Sequence, residues 1–240
     1  MPTISVKDGG SFKEAKEILV KDAGTWKPVK EVHVKDGGVW KKAFPESGTQ
    51  AYSTAGTYSF VVPNGIYSLT VPLLVGGGGG GGGQDAGGGD TWGGGGGGSG
   101  GYYTNQTVSV TPGETLTITV GGGGYAGYDG YWRGCPGQGL NVPAANGASS
   151  QLSRGGTVLL QATGGVRGNQ APGGDNGPGA PGGGGSPNGV AGAYQSPIQR
   201  NSFSAGAGGD NPTGYGKGGN GNASSVCPTA GATGYVSLSW

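Results

Sequence analysis

The sequence lacks most of the features that mark enzymes, secreted domains and membrane proteins. Only 11% of its 240 residues are charged, and the formal net charge of +1 gives no electrostatic reason to expect nucleic acid or an anionic membrane as a partner. Nowhere do eighteen apolar residues follow one another, and no basic region followed by an apolar stretch opens the chain. The sequence therefore predicts no membrane insertion and no secretory signal, and it predicts assembly in a cytoplasm.

Side chains suited to catalysis are scarce. His33 is the only histidine, and it lies in a repeated segment in which the other copies carry no histidine. No P-loop, HExxH or nucleophile-elbow motif is present. A carboxylate pair for glycan cleavage is the one catalytic arrangement that the sequence leaves open. We therefore expect no enzyme activity and no cofactor.

Metal binding has weak support as well. Asp85, Asp90, Asp175 and Asp210 resemble the loop ligands of a calcium ion, but the nonapeptide spacing of calcium-binding β-helix repeats is missing. The phrase Gly-Gly-Asp-Asn occurs twice, and turn formation explains it better. We predict no metal site.

The two cysteines, Cys135 and Cys227, cannot form a structural zinc site when histidines are lacking. A disulfide between them stays possible from the sequence alone. The reducing compartment predicted above favours two unpaired thiols.

Glycine is abundant where apolar residues are few. The chain holds 63 glycines and only 32% hydrophobic residues, so no ordinary core can include all of it. Glycine runs unbroken over 76–83 and 93–98, and between Gly124 and Trp132 it recurs at every third residue. A period of three is that of an extended three-fold helix with a rise of ~3.1 Å per residue. That helix makes no internal hydrogen bonds, so buried copies must bond side to side, as glycine permits.

This pattern predicts stacked polyglycine II-type helices. The competing interpretation is disorder, because glycine and proline together exceed the fraction typical of low-complexity chains. A collagen triple helix is disfavoured since the strict glycine repeat fails at Ala180. We favour order because the glycine runs are spliced between good strands.

The first 44 residues are three copies of a 14-residue unit that begin at Val6, Val20 and Val34. Each copy predicts a hairpin whose Asp-Gly turn supplies the positive φ, with an aromatic residue on the returning strand. We expect the valines to share a face with Phe12, Trp26 and Trp40, and the three hairpins to bury one another. The intervening lysines and glutamates form a solvated face.

From residue 49 onward the pattern predicts an all-β fold. Short strands alternate with Pro/Gly turns, as in a β-sandwich, and several run directly into glycines. The glycine segments should therefore form a layer at one end of that sandwich. We divide the chain into N-terminal β-hairpin repeats at 1–48 and a glycine-rich β-sandwich with polyglycine II-type helices at 49–240.

The two halves together resemble glycine-rich minor tail or tail-fibre-tip proteins of tailed bacteriophages. The Val-Lys-Asp-Gly-Gly-x-Trp-Lys repeat is similar to their N-terminal repeats, and the passage from Tyr58 to Val71 that leads into polyglycine resembles their C-terminal domain. The resemblance implies a virion protein, assembled in the host cytoplasm, that recognises the bacterial surface during adsorption. Residues 1–48 would attach it to other tail or fibre proteins, and a homotrimer is expected from tail symmetry.

Aromatic residues are the candidate receptor contacts. Flat amphipathic rings on a rigid base suit a bacterial surface protein or glycan. Equally, the tyrosines could only cover the glycine layer. A purely structural tail protein is the nearest alternative function, and an ice-binding protein is a more remote one. The candidate site residues are Tyr125, Tyr128, Tyr131, Trp132, Trp92, Tyr102 and Tyr103.

Overall fold

The computed structural model describes residues 5–15, 17–29, 31–44, 47–83, 93–127, 142–170, 180–193, 206–221 and 227–240. Within them the fold is all-β, and no helix occurs. The strands are β1 (Ser5–Asp8), β2 (Ser11–Glu14), β3 (Leu19–Asp22), β4 (Thr25–Pro28), β5 (Val32–Asp36), β6 (Val39–Phe44), β7 (Thr49–Tyr52), β8 (Gly56–Val61), β9 (Ser68–Val75), β10 (Tyr102–Ser109), β11 (Thr115–Val120), β12 (Ser150–Arg154), β13 (Thr157–Ala162) and β14 (Tyr235–Ser239).

The three predicted hairpins are present as β1-β2, β3-β4 and β5-β6. Their turns lie one residue later than expected. Gly9 and Gly10 both have positive φ, as do Gly37 and Gly38, while in the second hairpin Ala23 takes the first position. Positive φ at both central residues defines a type I′ turn. The aspartate therefore closes each strand, and it does not supply the turn conformation.

The valines do not share a face with the aromatics, so that prediction is wrong. A two-residue turn pairs Lys7 with Phe12 and leaves Val6 opposite Lys13. Paired residues project from the same side of a hairpin, so Phe12 and Val6 lie on opposite sides. Lys–aromatic pairs recur in the other hairpins.

Mutual burial of the hairpins was also predicted, and it is wrong. Each hairpin is a separate two-stranded sheet, and Val6, Val20 and Val34 are exposed. Strands of four to six residues that each carry one or two charged side chains offer too little apolar area to draw the hairpins together. A hydrogen bond from the Tyr67 hydroxyl to Glu17 Oε1, at 2.7 Å, links this region to the rest of the chain.

Two four-stranded antiparallel sheets follow. Sheet I has the order β10-β9-β14-β7 and sheet II the order β13-β12-β11-β8. The alternation of buried and less buried side chains along β9 shifts at Pro72, which has no N–H to donate to the neighbouring strand. The opposing residue, Asn105, adopts a φ of 50°. The C-terminal strand β14 lies between β9 and β7, so the last residues of the chain occupy an inner position of sheet I.

Both sheets contribute to one hydrophobic core. Sheet I supplies Leu69, Leu74 and Leu238, and sheet II supplies Leu116 and Ile118, all fully buried. In the last strand Val236 and Leu238 are buried, and Trp240 packs against Phe60 with ring centroids 5.2 Å apart. This core fixes the strand ends from which the glycine segments leave.

Tyr52 offers a test of this core. Its buried hydroxyl has no hydrogen-bond partner among the described residues, and burial raises its pKa. An unpaired buried polar group costs about 1–3 kcal/mol, so Tyr52→Phe should raise stability by about 1 kcal/mol. Above pH ~10 the unfolded tyrosine ionises first, so the wild type should lose stability there and the variant should lose less. Urea unfolding at pH 7 and pH 10.5 measures both effects; a less stable variant at pH 7 would contradict the assignment.

Candidate functional site: the glycine tract array and its distal end

The glycine-rich segments form extended tracts that are neither helix nor strand, joined to one another by backbone hydrogen bonds. The described residues contain ten of them. They are tract 1 (76–83), tract 2 (93–101), tract 3 (121–127), tract 4 (144–148), tract 5 (163–170), tract 6 (180–185), tract 7 (187–193), tract 8 (206–210), tract 9 (216–221) and tract 10 (229–234).

Tract 1 is surrounded on every side. Its N–H groups donate in rotation to three neighbours, Gly76 to tract 2, Gly77 to tract 4 and Gly78 to tract 10, at 2.9 Å each, and the rotation repeats from Gly79 onward. Its carbonyls accept in rotation from tracts 3, 5 and 9. Six different tracts therefore satisfy one glycine run, with partners recurring every third residue.

Tract 2 is enclosed in the same way, by tracts 1, 5, 6, 7, 8 and 9. The hydrogen bonds arrange the ten tracts in three layers. The outer layers are 4-5-6 and 10-9-8, and the middle layer is 3-1-2-7. The two enclosed tracts are the two long glycine runs of the sequence.

Close approach, and not positive φ, is why these positions are glycine. A Cβ added at Gly78 would collide with the Lys217 carbonyl, and one at Gly80 with the Tyr125 carbonyl. None of the glycines of tracts 1 and 2 has a positive φ. Ser99 is the exception in the enclosed pair; it is fully buried, and its Oγ accepts a hydrogen bond from the Val190 N–H at 2.8 Å.

Polar side chains of the outer tracts take the place of missing neighbours. Asn146 Oδ1 accepts from the Arg167 N–H at 2.9 Å, Asn220 Oδ1 from the Gly208 N–H at 2.8 Å, and Thr229 Oγ1 from the Asn220 N–H at 2.8 Å. These residues therefore satisfy backbone groups at the rim, as buried or partly buried N–H groups require.

The tracts alternate in direction. Odd-numbered tracts run away from the sheets and even-numbered tracts return, as their bonding partners on tracts 1 and 2 show. Tract 1 leaves from β9, tract 3 from β11 and tract 5 from β13, which confirms the prediction that glycine segments leave from strand ends. We call the end of the array farthest from the sheets its distal end. Odd-numbered tracts end there and even-numbered tracts begin there. Five stretches of sequence connect them, 84–92, 128–141, 171–179, 194–205 and 222–226, and these lie outside the described residues.

The predicted contact residues divide into three groups. Tyr125 lies in tract 3, with 57% of its surface exposed. Tyr102 and Tyr103 begin β10, at the end of the array that meets the sheets. Trp92, Tyr128, Tyr131 and Trp132 lie outside the described residues, in the stretches of sequence that follow tracts 1 and 3.

Tyr102 and Tyr103 do not lie beside Tyr125. Tyr102 continues tract 2, and the ring of bonds around tract 1 runs through tracts 2, 5, 4, 3, 10 and 9, so tracts 2 and 3 lie on opposite sides of tract 1. Tyr103 also packs against the core between the sheets. In the sequence, Tyr102, Tyr103 and Tyr125 all lie in or next to a glycine tract. In the structure, tract 1 separates the tracts to which they belong.

The expectation of unpaired thiols is wrong. Cys227 is disulfide-bonded, and Cys135 is the only other cysteine. Cys227 precedes tract 10, whose Gly231 N–H donates to the Gly124 carbonyl of tract 3, and Cys135 follows tract 3 in the sequence but lies outside the described residues. The two cysteines are 92 positions apart, so local sequence patterns did not indicate that the tracts beside them are neighbours.

One of the four candidate calcium ligands lies among the described residues. Asp210 Oδ2 pairs with Lys217 Nζ at 3.0 Å, and the remaining candidate calcium ligands, Asp85, Asp90 and Asp175, lie outside the described residues. The described part of the chain contains no cluster of three metal-ligating side chains. Nor does it contain a helix long and apolar enough to cross a membrane.

The hairpins carry a feature that sequence reasoning missed. Lys7, Lys21 and Lys35 each hold their Nζ over the aromatic ring of their own hairpin, at 5.9, 5.8 and 6.0 Å from the ring centre. Lysine and aromatic residue have the same spacing in every repeat. A turn predicted one residue later would have placed these two residues opposite each other in each hairpin.

Comparison with known proteins agrees with the glycine pattern. The model of a glycine-rich domain matches residues 53–239, from just after β7 to the end of β14. No curated protein matches the chain. The matched range takes in all ten tracts and both sheets apart from β7, and the chain therefore belongs to the glycine-rich domain family.

Proposed function

We propose that the protein is a minor tail or tail-fibre-tip component of a tailed bacteriophage and that it recognises the bacterial surface during adsorption. The tracts would be polyglycine II-type helices standing on a β-sandwich. The observation that carries the proposal is the arrangement of the array: five tracts of a densely bonded scaffold end on the same side, and the five stretches that follow them in the sequence would form the recognition surface there. Recognition sites are commonly built from loops on a rigid frame.

The composition of those stretches suits recognition. Trp92, Tyr128, Tyr131 and Trp132 fall in two of them, and Tyr125 stands exposed in the tract that leads to 128–141. Tyrosine and tryptophan give large contact areas with few rotatable bonds, so little entropy is lost on binding. A bacterial surface protein or a glycan would both fit that chemistry.

The remaining assignments follow from the same resemblance. Residues 1–48 would attach the protein to other tail or fibre proteins, and 49–240 would face outward, in a homotrimer. Assembly would take place in the host cytoplasm, and no catalytic step, cofactor or metal is invoked.

Binding of cells tests this proposal. The fragment 49–240, fluorescently labelled, should bind a susceptible strain from a panel of bacteria as well as the full chain does. Replacing Tyr128, Tyr131 and Trp132 by alanine should weaken binding more than tenfold, because such anchors contribute ~2 kcal/mol or more. Flow cytometry across protein concentrations measures the change.

The matched control is Tyr67→Ala, because Tyr67 is exposed and precedes β9 at the end of the sheets away from the array. That variant should bind as the wild type does. Equal binding by all variants, with unchanged melting temperatures, would favour a purely structural tail protein.

One observation favours the ice-binding alternative. The outer layer of tracts 8, 9 and 10 exposes small residues, among them Ala207, Ala230 and Ala232. Lys217 and Asn220 interrupt that layer, and ice-binding faces are flat and small throughout. Thermal hysteresis in a solution of the full chain would establish this function, and its absence would exclude it.

A further inference from the structure

The lysines of the N-terminal hairpins fall into two groups. Lys13 Nζ binds Asp8 at 2.7 Å, and Lys27 Nζ binds Asp22 at 2.6 Å, so these two charges are neutralised within their hairpins. Lys7 and Lys21 have no carboxylate partner among the described residues, and the Nζ of each lies over an aromatic ring.

The ring beside each unpaired lysine is open to solvent. Phe12, Trp26 and Trp40 are 74%, 63% and 65% exposed, although large aromatic side chains ordinarily gain most by burial. We call each pair an aromatic–lysine unit: Lys7–Phe12, Lys21–Trp26 and Lys35–Trp40. The three units have the same geometry, with lysine-to-ring distances that agree within 0.2 Å.

Charge in this segment is uneven. Residues 1–44 carry nine lysines against six acidic residues, a net charge of +3, whereas the whole chain carries only +1. A ligand for these units should therefore be anionic and should present a flat apolar surface to the ring.

We propose that the three aromatic–lysine units bind a polysaccharide that carries carboxylate groups. A sugar ring has an apolar face that stacks on an exposed aromatic, and a uronic acid places its carboxylate within reach of the adjacent ammonium. Three copies of one geometry suit a ligand that repeats its own chemistry along a chain, which a folded protein surface does not. Linking three weak sites raises avidity by orders of magnitude.

The proposal is independent of the adsorption function, since it concerns residues 5–44 and not the distal end of the array. An acidic peptide offers carboxylates without a sugar face, so it should bind more weakly. Attachment to a tail protein could use the opposite faces of the hairpins, where Val6, Val20 and Val34 lie.

Tryptophan fluorescence of the full chain tests the proposal directly. Titration with polygalacturonate or hyaluronan should give a saturable change, weakened by salt, because Trp26 and Trp40 would contact the ligand. Methyl-esterified polygalacturonate, which keeps the backbone and loses the charge, should bind at least tenfold more weakly. Poly-glutamate should do the same.

The lysines supply a matched pair of variants. Lys7→Gln with Lys21→Gln should weaken polygalacturonate binding at least tenfold, whereas Lys13→Gln with Lys27→Gln removes the same charge from the same hairpins and should change it less than twofold. Trp26→Leu with Trp40→Leu should abolish binding, followed for this variant by isothermal calorimetry.

Three results would overturn the proposal. One is the lack of saturable binding to both polymers. A second is equal weakening by the two lysine pairs, which would mean non-specific charge attraction. The third is poly-glutamate binding as tight as polygalacturonate, which would point to an acidic peptide partner.

Discussion

Gly78→Ala should prevent the glycine tract array from forming. The added Cβ would fall far inside the 3.0 Å limit of real contacts, against the main-chain carbonyl of Lys217. Tract 1 has neighbours on all six sides, so it cannot move away from one without pressing on another. We expect a loss above 4–5 kcal/mol, a large share of the ~5–15 kcal/mol that stabilises a typical domain. Thermal unfolding followed by circular dichroism, together with hydrogen exchange over 76–83, measures it.

Gly122→Ala is the matched control. It lies in tract 3 of the same array, and its added Cβ would meet only the Ala55 methyl, at an ordinary 3.6 Å. Both changes replace glycine by alanine, so their effect on the unfolded chain is the same. The control should melt within a few degrees of the wild type. Similar melting temperatures for the two variants would mean that tract 1 is not enclosed.

Ending the chain after Pro228 should unfold both sheets and the array. The deletion removes tract 10, which accepts hydrogen bonds from Gly78 and Gly81, and it removes β14 from between β9 and β7. Buried Val236 and Leu238 are lost as well, and deleting each buried aliphatic side chain costs about 2–5 kcal/mol. Amide exchange should then be fast throughout the remaining chain, as mass spectrometry can measure.

Removal of residues 1–47 serves as the comparison for that truncation. It deletes more residues, and among the described residues it breaks the Tyr67–Glu17 hydrogen bond with the remainder. The shortened protein should keep the melting temperature of the full chain within a few degrees. A folded product from the first truncation, or an unfolded product from the second, would contradict the division at residue 48.

Much of this architecture could be predicted from local patterns. Hairpin turns carry a glycine signature, and alternating strands such as 115–120 reveal which side chains face the core. Strand β12 was missed because Ser150–Arg154 has only one large apolar residue, Leu152, and polar neighbours. Its place in sheet II depends on β11 and β13, which a single segment does not reveal.

Relations between distant segments were the part that local patterns could not supply. Glycine carries no side chain, so nothing in 76–83 indicates which six tracts bind it. The valine and aromatic faces of the hairpins were misjudged because a one-residue uncertainty in turn position changes every cross-strand pair. For the candidate site, the sequence shows that tyrosine recurs at every third residue from Tyr125 to Tyr131. The separation of Tyr102 from Tyr125 depends on the order of the tracts within the layers, which local patterns do not show.

The amino-acid sequences of the five stretches that connect successive tracts can vary without disturbing the tract array. Neighbouring tracts recognise each other through main-chain atoms that every glycine segment shares, so no complementary side chains need to change together when a stretch is replaced. Genes for such proteins could therefore exchange the segment between two glycine runs by recombination and still encode a folded product. Under the proposed adsorption function, such an exchange would change host range in one genetic step and leave the tract array unchanged.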